Sequence, residues 1–167
     1  MKTFKNKQIT VLGTELKVGD QAPNFIVVNN DLEKVSLSDF NTTDYIVINV
    51  VPSLDTTVCE LQTTTVNEEL SKYENLQVIT MSNDLPFAQK RWCGNRGLDN
   101  IITLSDYQNH DFGMKYGALI DELKLLARSI FVLDENRKVI YVDYANEMSQ
   151  HLNYDSLLEF IDGLPGK

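Results

Sequence analysis

The strongest signal along the chain is a nearly unbroken β-branched run, Tyr45-Ile46-Val47-Ile48-Asn49-Val50-Val51. Apolar residues at consecutive positions fit a strand buried on both faces, as in a parallel sheet. Pro52 ends the run, and helical spacing follows. Val58, Leu61, Val66, Leu70 and Tyr73 form a stripe over residues 57–72, and Thr57-x-x-Glu60 matches a capping box at its start. Residues 77–81 predict the next strand. A second helix takes Pro86 into its first turn and is expected to stop at Gly94. A third strand falls at 101–104, and 109–117 are weakly helical. Strands at 129–133 and 139–142 flank the polar segment 134–138, which reads as a hairpin. An amphipathic helix over 154–161 closes the pattern.

Ahead of this series, residues 1–18 read as short extended pieces, with Gly13-Thr14 as a turn between 9–11 and 16–18. The segment 19–23 breaks the pattern and 25–28 opens another strand. Three strands joined through helices imply right-handed parallel crossovers, and the hairpin adds an antiparallel strand. The pattern is α/β, a thioredoxin-like plan with a central mixed sheet flanked by helices.

Composition narrows the function more than the fold. At 167 residues and 43% hydrophobic, the chain is expected to form one domain over 1–167. Fifteen Lys and Arg against 24 Asp and Glu give a net charge of −9, which argues against nucleic-acid and anionic-membrane partners. No apolar h-region follows Met1, and no apolar run approaches the ~20 residues that span a bilayer. A soluble cytoplasmic protein is therefore expected. Two cysteines without a Cys-x-x-Cys are too few for a disulfide scaffold. In a reducing compartment they are either inert buried thiols or a transient catalytic couple.

Cys59 carries the candidate chemistry. It follows the polar loop behind Pro52 and falls in the first turn of the helix that starts near Thr57, where free backbone N–H groups and the helix dipole favour thiolate over thiol. The competing reading is a small buried hydrophobe at the edge of the apolar stripe, which periodicity alone favours. The loop tips the balance, because it leaves the carboxyl end of a strand, where open α/β sheets place ligands. Helix-terminus activation is nonetheless modest. Lowering a thiol pKa from ~8.5 to ~6 raises the thiolate fraction at pH 7 from roughly 3% to roughly 90%. The accompanying loss of nucleophilicity leaves a net gain of only about two- to threefold. Fast chemistry would need a group that stabilises developing charge.

Pro52-x-x-x-Thr56-x-x-Cys59 resembles the peroxiredoxin active-site motif. Two further stretches strengthen the likeness: Asp84-Leu85-Pro86-Phe87-Ala88-Gln89-Lys90-Arg91-Trp92-Cys93-Gly94 and Ala127-Arg128-Ser129-Ile130-Phe131-Val132-Leu133-Asp134-Glu135-Asn136. The first looks like the resolving-cysteine helix of the thiol peroxidases, the atypical 2-Cys branch. The second places Arg128 where the family keeps its active-site guanidinium. The likeness covers nearly the whole chain, and residues 1–18 are similar to the hairpin that this branch adds at the N-terminus.

The resemblance implies a thiol-dependent peroxidase acting on hydrogen peroxide and organic hydroperoxides. Cys59 would attack the O–O bond and become a sulfenic acid. Pro52 would shield the pocket, Thr56 would hydrogen-bond the sulfur or the peroxide, and Arg128 would stabilise thiolate and alkoxide. Cys93 would close an intramolecular disulfide with Cys59, which thioredoxin reduces. A homodimer is implied, and no metal, flavin or haem is required. By spacing alone, Cys93 reads as a buried residue beside Trp92, Arg128 as a solvated arginine and Thr56 as a helix-entry residue. A disulfide needs Cα atoms within about 7 Å, so the end of the Cys93 helix or the first turn at Cys59 is expected to unwind.

Glu60 sits awkwardly beside the nucleophile, although a capping-box role would turn it away, and residues 62–66 offer no basic group. Two rivals stand beside the peroxidase. A cysteine hydrolase would use His110 or His151, the only histidines, as its base. A non-enzymatic redox sensor or binding protein would be oxidised once without turnover.

Overall fold

The β-branched run folds as strand β6 (Tyr45–Val50), buried at every position. The computed structural model describes residues 1–95 and 101–167. An N-terminal pair, β1 (Thr3–Phe4) and β2 (Lys7–Gln8), precedes β3 (Val11–Leu12), β4 (Ile26–Val28) and β5 (Lys34–Ser36). After β6 come α1 (Thr57–Leu70), β7 (Leu76–Ser82), α2 (Pro86–Asn95) and β8 (Ile102–Ser105). The chain then forms α3 (Asp111–Lys115), β9 (Leu119–Ile120), β10 (Ser129–Leu133), β11 (Val139–Tyr144) and α4 (Tyr154–Asp162).

Seven strands form one mixed sheet in the order β11-β10-β6-β7-β8-β4-β5. The expected crossovers are present, since β6, β7 and β8 run parallel while β10 pairs antiparallel with both β6 and β11. This is the α/β, thioredoxin-like architecture. Period-two alternation divides β6 between two cores. Tyr45 and Val47 face Val66 and Leu70 of α1 and Leu157 and Ile161 of α4. Ile46, Ile48 and Val50 face the opposite layer, where Phe25, Phe112, Tyr116 and Phe131 meet ring against ring. Asn49 falls on the α1 face, a polar residue in an apolar strand.

Three local expectations need correcting. The N-terminal hairpin turns at Lys5-Asn6, both at positive φ, the two-residue turn whose twist suits paired strands. Gly13-Thr14 joins no hairpin, and 16–18 is not a strand. A Cβ on Gly13, at φ +86°, would lie 2.3 Å from the Met114 carbonyl oxygen, so this glycine permits a close backbone approach while β3 pairs with the distant β9. The helix at Thr57 is capped one residue earlier than the capping box proposed: Thr56 is the N-cap, and its hydroxyl accepts from the Cys59 N–H at 3.2 Å. Gly94 does not stop α2, which continues to Asn95.

Candidate active site

The loop between β6 and α1 presents the cysteine. Pro52 is buried where the strand ends, and Thr56 spends its hydroxyl locally, donating to the Ser53 carbonyl at 3.4 Å and accepting from the Cys59 N–H. That cap makes Cys59 the third residue of the helix. Its side chain is 0% exposed, packed with Val51, Leu54, Trp92 and Cys93.

Arg128 reaches the same point from the far end of the chain, and strand register explains how. Ser129 pairs with Val50 and Ile130 with Asn49, so β10 begins where β6 ends. Arg128 stands one residue before β10 and shares the face of Ile130 and Val132, the face that α1 covers. Arg128 is only 2% exposed, and its guanidinium is satisfied on three sides. Nε donates to the Met148 carbonyl and Nη1 to Gln62 Oε1, both at 2.8 Å, and Nη2 to Cys59 Sγ, also at 2.8 Å. None of these three acceptors is a carboxylate. A buried cation is costly unless an anion accompanies it, and the sulfur is the group in place to become one.

Sequence reasoning missed the support behind this contact. Gln62, one turn after Cys59, accepts from Arg128 and donates to Asn49 Oδ1 and, at 3.3 Å, to the Val50 carbonyl. Asn49 in turn donates to Thr63 at 3.1 Å and to Thr80 at 3.3 Å. All four side chains are fully buried, and such a chain fixes the guanidinium only if each member is satisfied. Asn49 interrupting a β-branched run was the available signal. Met148 gave none, since its backbone carbonyl does the work.

Cys93 lies in the same apolar cluster, and both cysteines are free thiols. The Thr103 hydroxyl donates to Asn30 Oδ1 at 2.9 Å, which leaves its oxygen to accept from the Cys93 thiol 3.8 Å away. Burial pushes the Cys93 thiol up. Cys93 is thus held protonated. Neither histidine hydrogen-bonds Cys59. His110 Nδ1 lies 3.4 Å from Asn83, and exposed His151 packs edge-on against Tyr154. Burial holds the Tyr154 hydroxyl at about 12, so it stays neutral beside Arg128 and Cys59.

A pocket of about 170 Å³ opens at this point, lined by Phe4 and Lys5 of the N-terminal hairpin, Thr56 and Val58 at the helix start, Arg128 and Met148. Among the described residues no cluster of His, Cys, Asp or Glu could hold a metal ion.

Comparison with known proteins gives the family. The Redoxin family model matches residues 17–158. The chain belongs to the Redoxin family. It is 52% identical over 160 residues to the thiol peroxidase of Oceanobacillus iheyensis, covering 96% of this chain and 97% of that protein. The thiol peroxidase of Bacillus subtilis is 51% identical over 94% of this chain and 93% of its own length. Among solved structures, a peroxiredoxin-like protein from Aquifex aeolicus superposes with a TM-score of 0.87 at 38% identity, over 96% of this chain and 95% of that one. Within the family the chain is therefore one of the thiol peroxidases. The cysteine hydrolase reading falls with this placement.

Proposed function

We propose that the chain is a thiol-dependent peroxidase that reduces hydrogen peroxide and organic hydroperoxides through Cys59 and Cys93. One observation carries the reading: a buried guanidinium with no carboxylate partner among the described residues, directed at the sulfur of Cys59. The Cys59 thiolate attacks the distal oxygen of a hydroperoxide, the O–O bond breaks, and the sulfur leaves as sulfenic acid. The departing alkoxide or hydroxide is stabilised by Arg128 and takes a proton to become alcohol or water. Pro52 keeps solvent from the loop, and Thr56 sets the helix start by capping Cys59. The Cys93 thiol then attacks the sulfenic sulfur, expelling water and leaving a Cys59–Cys93 disulfide. A thioredoxin dithiol reduces that bond, restoring both thiols and becoming a disulfide itself. No step calls for a metal or an organic cofactor.

The test is peroxide consumption coupled to thioredoxin and its reductase. Cys59→Ser should abolish turnover. Cys93→Ser should consume one equivalent of peroxide and then stall. Turnover surviving in Cys59→Ser would overturn the assignment, and stoichiometric oxidation without turnover in the native chain would make it a sensor instead.

A further inference from the structure

We propose that Asp84 is a positioning residue whose carboxylate clasps the Cys59 loop to the base of the Cys93 helix, and so sets the balance between disulfide formation and over-oxidation. This rests on the peroxidase cycle above, and it adds a residue that touches neither sulfur.

Asp84 stands just beyond β7 and two residues before α2. Its Oδ1 accepts from the Ser53 hydroxyl at 2.7 Å, and its Oδ2 accepts from the Leu54 N–H and the Ser82 hydroxyl, each at 2.8 Å. Its own carbonyl accepts from the Ser105 hydroxyl at 2.5 Å. One residue thus binds the loop leading to Cys59, the end of β7 and the end of β8, and the chain leaving it becomes the helix that holds Cys93. Bonds to a carboxylate are roughly twice as strong as those between neutral groups, so this joint ties the loop more firmly than neutral bonds would.

The helix itself is less well satisfied. Gln89, one turn before Cys93 and fully buried, donates to Ser82 Oγ at 3.0 Å and to the Leu104 carbonyl at 2.9 Å. No donor among the described residues reaches its Oε1. The clasp therefore holds α2 in a seat where a buried acceptor goes unmet, a group that unwinding would release to solvent.

Two steps compete once Cys59 is sulfenic. Attack by the Cys93 thiol expels water and forms the disulfide. Attack by the sulfenate sulfur on a second hydroperoxide cleaves that O–O bond, giving sulfinic acid and an alcohol. In this proposal the first step moves the two segments joined at Asp84, whereas the second does not. A firm clasp favours the poised pocket and slows resolution. A loosened one does the reverse.

The experiment uses the full-length chain and its single tryptophan, Trp92, which packs in the cluster with both cysteines. Rapid mixing with hydrogen peroxide separates a peroxide-dependent phase from a peroxide-independent resolution phase, and intact mass gives the sulfinic fraction. Asp84→Asn keeps the shape but presents an amide N–H₂ to donors. It is expected to slow the first phase by about tenfold and to speed the second by about threefold or more, lowering the sulfinic fraction accordingly. Ser53→Ala removes the Oδ1 bond, together with the bond that Ser53 Oγ accepts from the Asp55 N–H at 3.2 Å, and is expected to move both phases in the same directions by less. It keeps the test decisive if Asp84→Asn folds poorly. Loss of thermal stability with an unchanged ratio of the phases would mean a merely structural role and would overturn the proposal. If the native chain itself formed no Cys59–Cys93 disulfide, the peroxidase cycle would fail first, and mass mapping of the native chain separates the two failures.

Discussion

At the scale of single residues, Arg128 illustrates why charge alone does not make this site. A guanidinium offers a rigid fork of donors, and here three of them are assigned, to a carbonyl, an amide oxygen and a sulfur. A lysine could bring the charge but only a single nitrogen. Arg128→Lys should therefore leave Gln62 or the Met148 carbonyl unmet and let the cation drift from the sulfur. The second-order rate of peroxide reduction is expected to fall by about 10²-fold, the scale on which positioned transition-state donors act. Stopped-flow Trp92 fluorescence checks this, and a rate within twofold of the native chain would show that charge, not the fork, suffices. Cys59 was readable in the sequence because its loop and helix start are local. Its partner was readable only through the family likeness. An arginine before a strand is ordinarily solvated, and strand register, not spacing, carries Arg128 to the sulfur.

At the scale of elements, the N-terminal hairpin borders the pocket beside Arg128 although its sequence carries no catalytic signal. Phe4 and Lys5 line the pocket, and Glu147 ties the hairpin to the strap that feeds Arg128. Its Oε1 accepts from the Asn6 N–H at 2.7 Å and the Thr3 hydroxyl at 3.1 Å, while Oε2 accepts from the Ser149 N–H at 2.5 Å and the Ser149 hydroxyl. The next carbonyl, that of Met148, holds Arg128 Nε. Partial burial works against the charged form of Glu147, but the bonds from Asn6, Ser149 and Thr3 outweigh it and hold the carboxyl down at about 2. A carboxylate depressed in this way stabilises the fold above the unfolded value near 4.5, and that support is lost as pH falls toward 2. Glu147→Gln should remove this acid dependence. It should also speed hydrogen exchange at the Asn6 and Ser149 amides by about tenfold at neutral pH. Unchanged exchange would mean that backbone bonds such as Met148 N–H to the Thr3 carbonyl, at 2.8 Å, hold the hairpin unaided.

At the scale of the whole molecule, the sheet was legible where hydrophobic periodicity is strong and illegible where pairing is distant. The β6 run, the β10–β11 hairpin and the helices announced themselves. The two-residue strands β3 and β9 did not, because they pair with each other from opposite parts of the chain. Asp106, at the end of β8, belongs to this second class. Its carboxylate accepts from the Phe112 and Gly113 N–H groups at 2.9 and 2.8 Å, fixing the start of α3 against the aromatic core. Burial outweighs those bonds and raises the Asp106 carboxyl to about 6. The sign is opposite to that of Glu147. A carboxyl raised above its unfolded value of 3.8 binds its proton more tightly in the fold, so its ionisation costs stability at neutral pH. That cost, roughly 3 kcal/mol for a shift of about two units, is recovered as pH falls from about 6 toward 4. The native chain should therefore gain thermal stability between pH 7 and pH 5. Lower pH also relieves self-repulsion in a chain of net charge −9, so the native slope alone does not identify the group. Asp106→Asn separates the two, because it keeps an acceptor for one N–H and cannot titrate. Denaturant melts at pH 5, 6 and 7 should show a markedly flatter dependence in the variant. Equal slopes would assign the whole effect to surface charge and free Asp106 of any part in it.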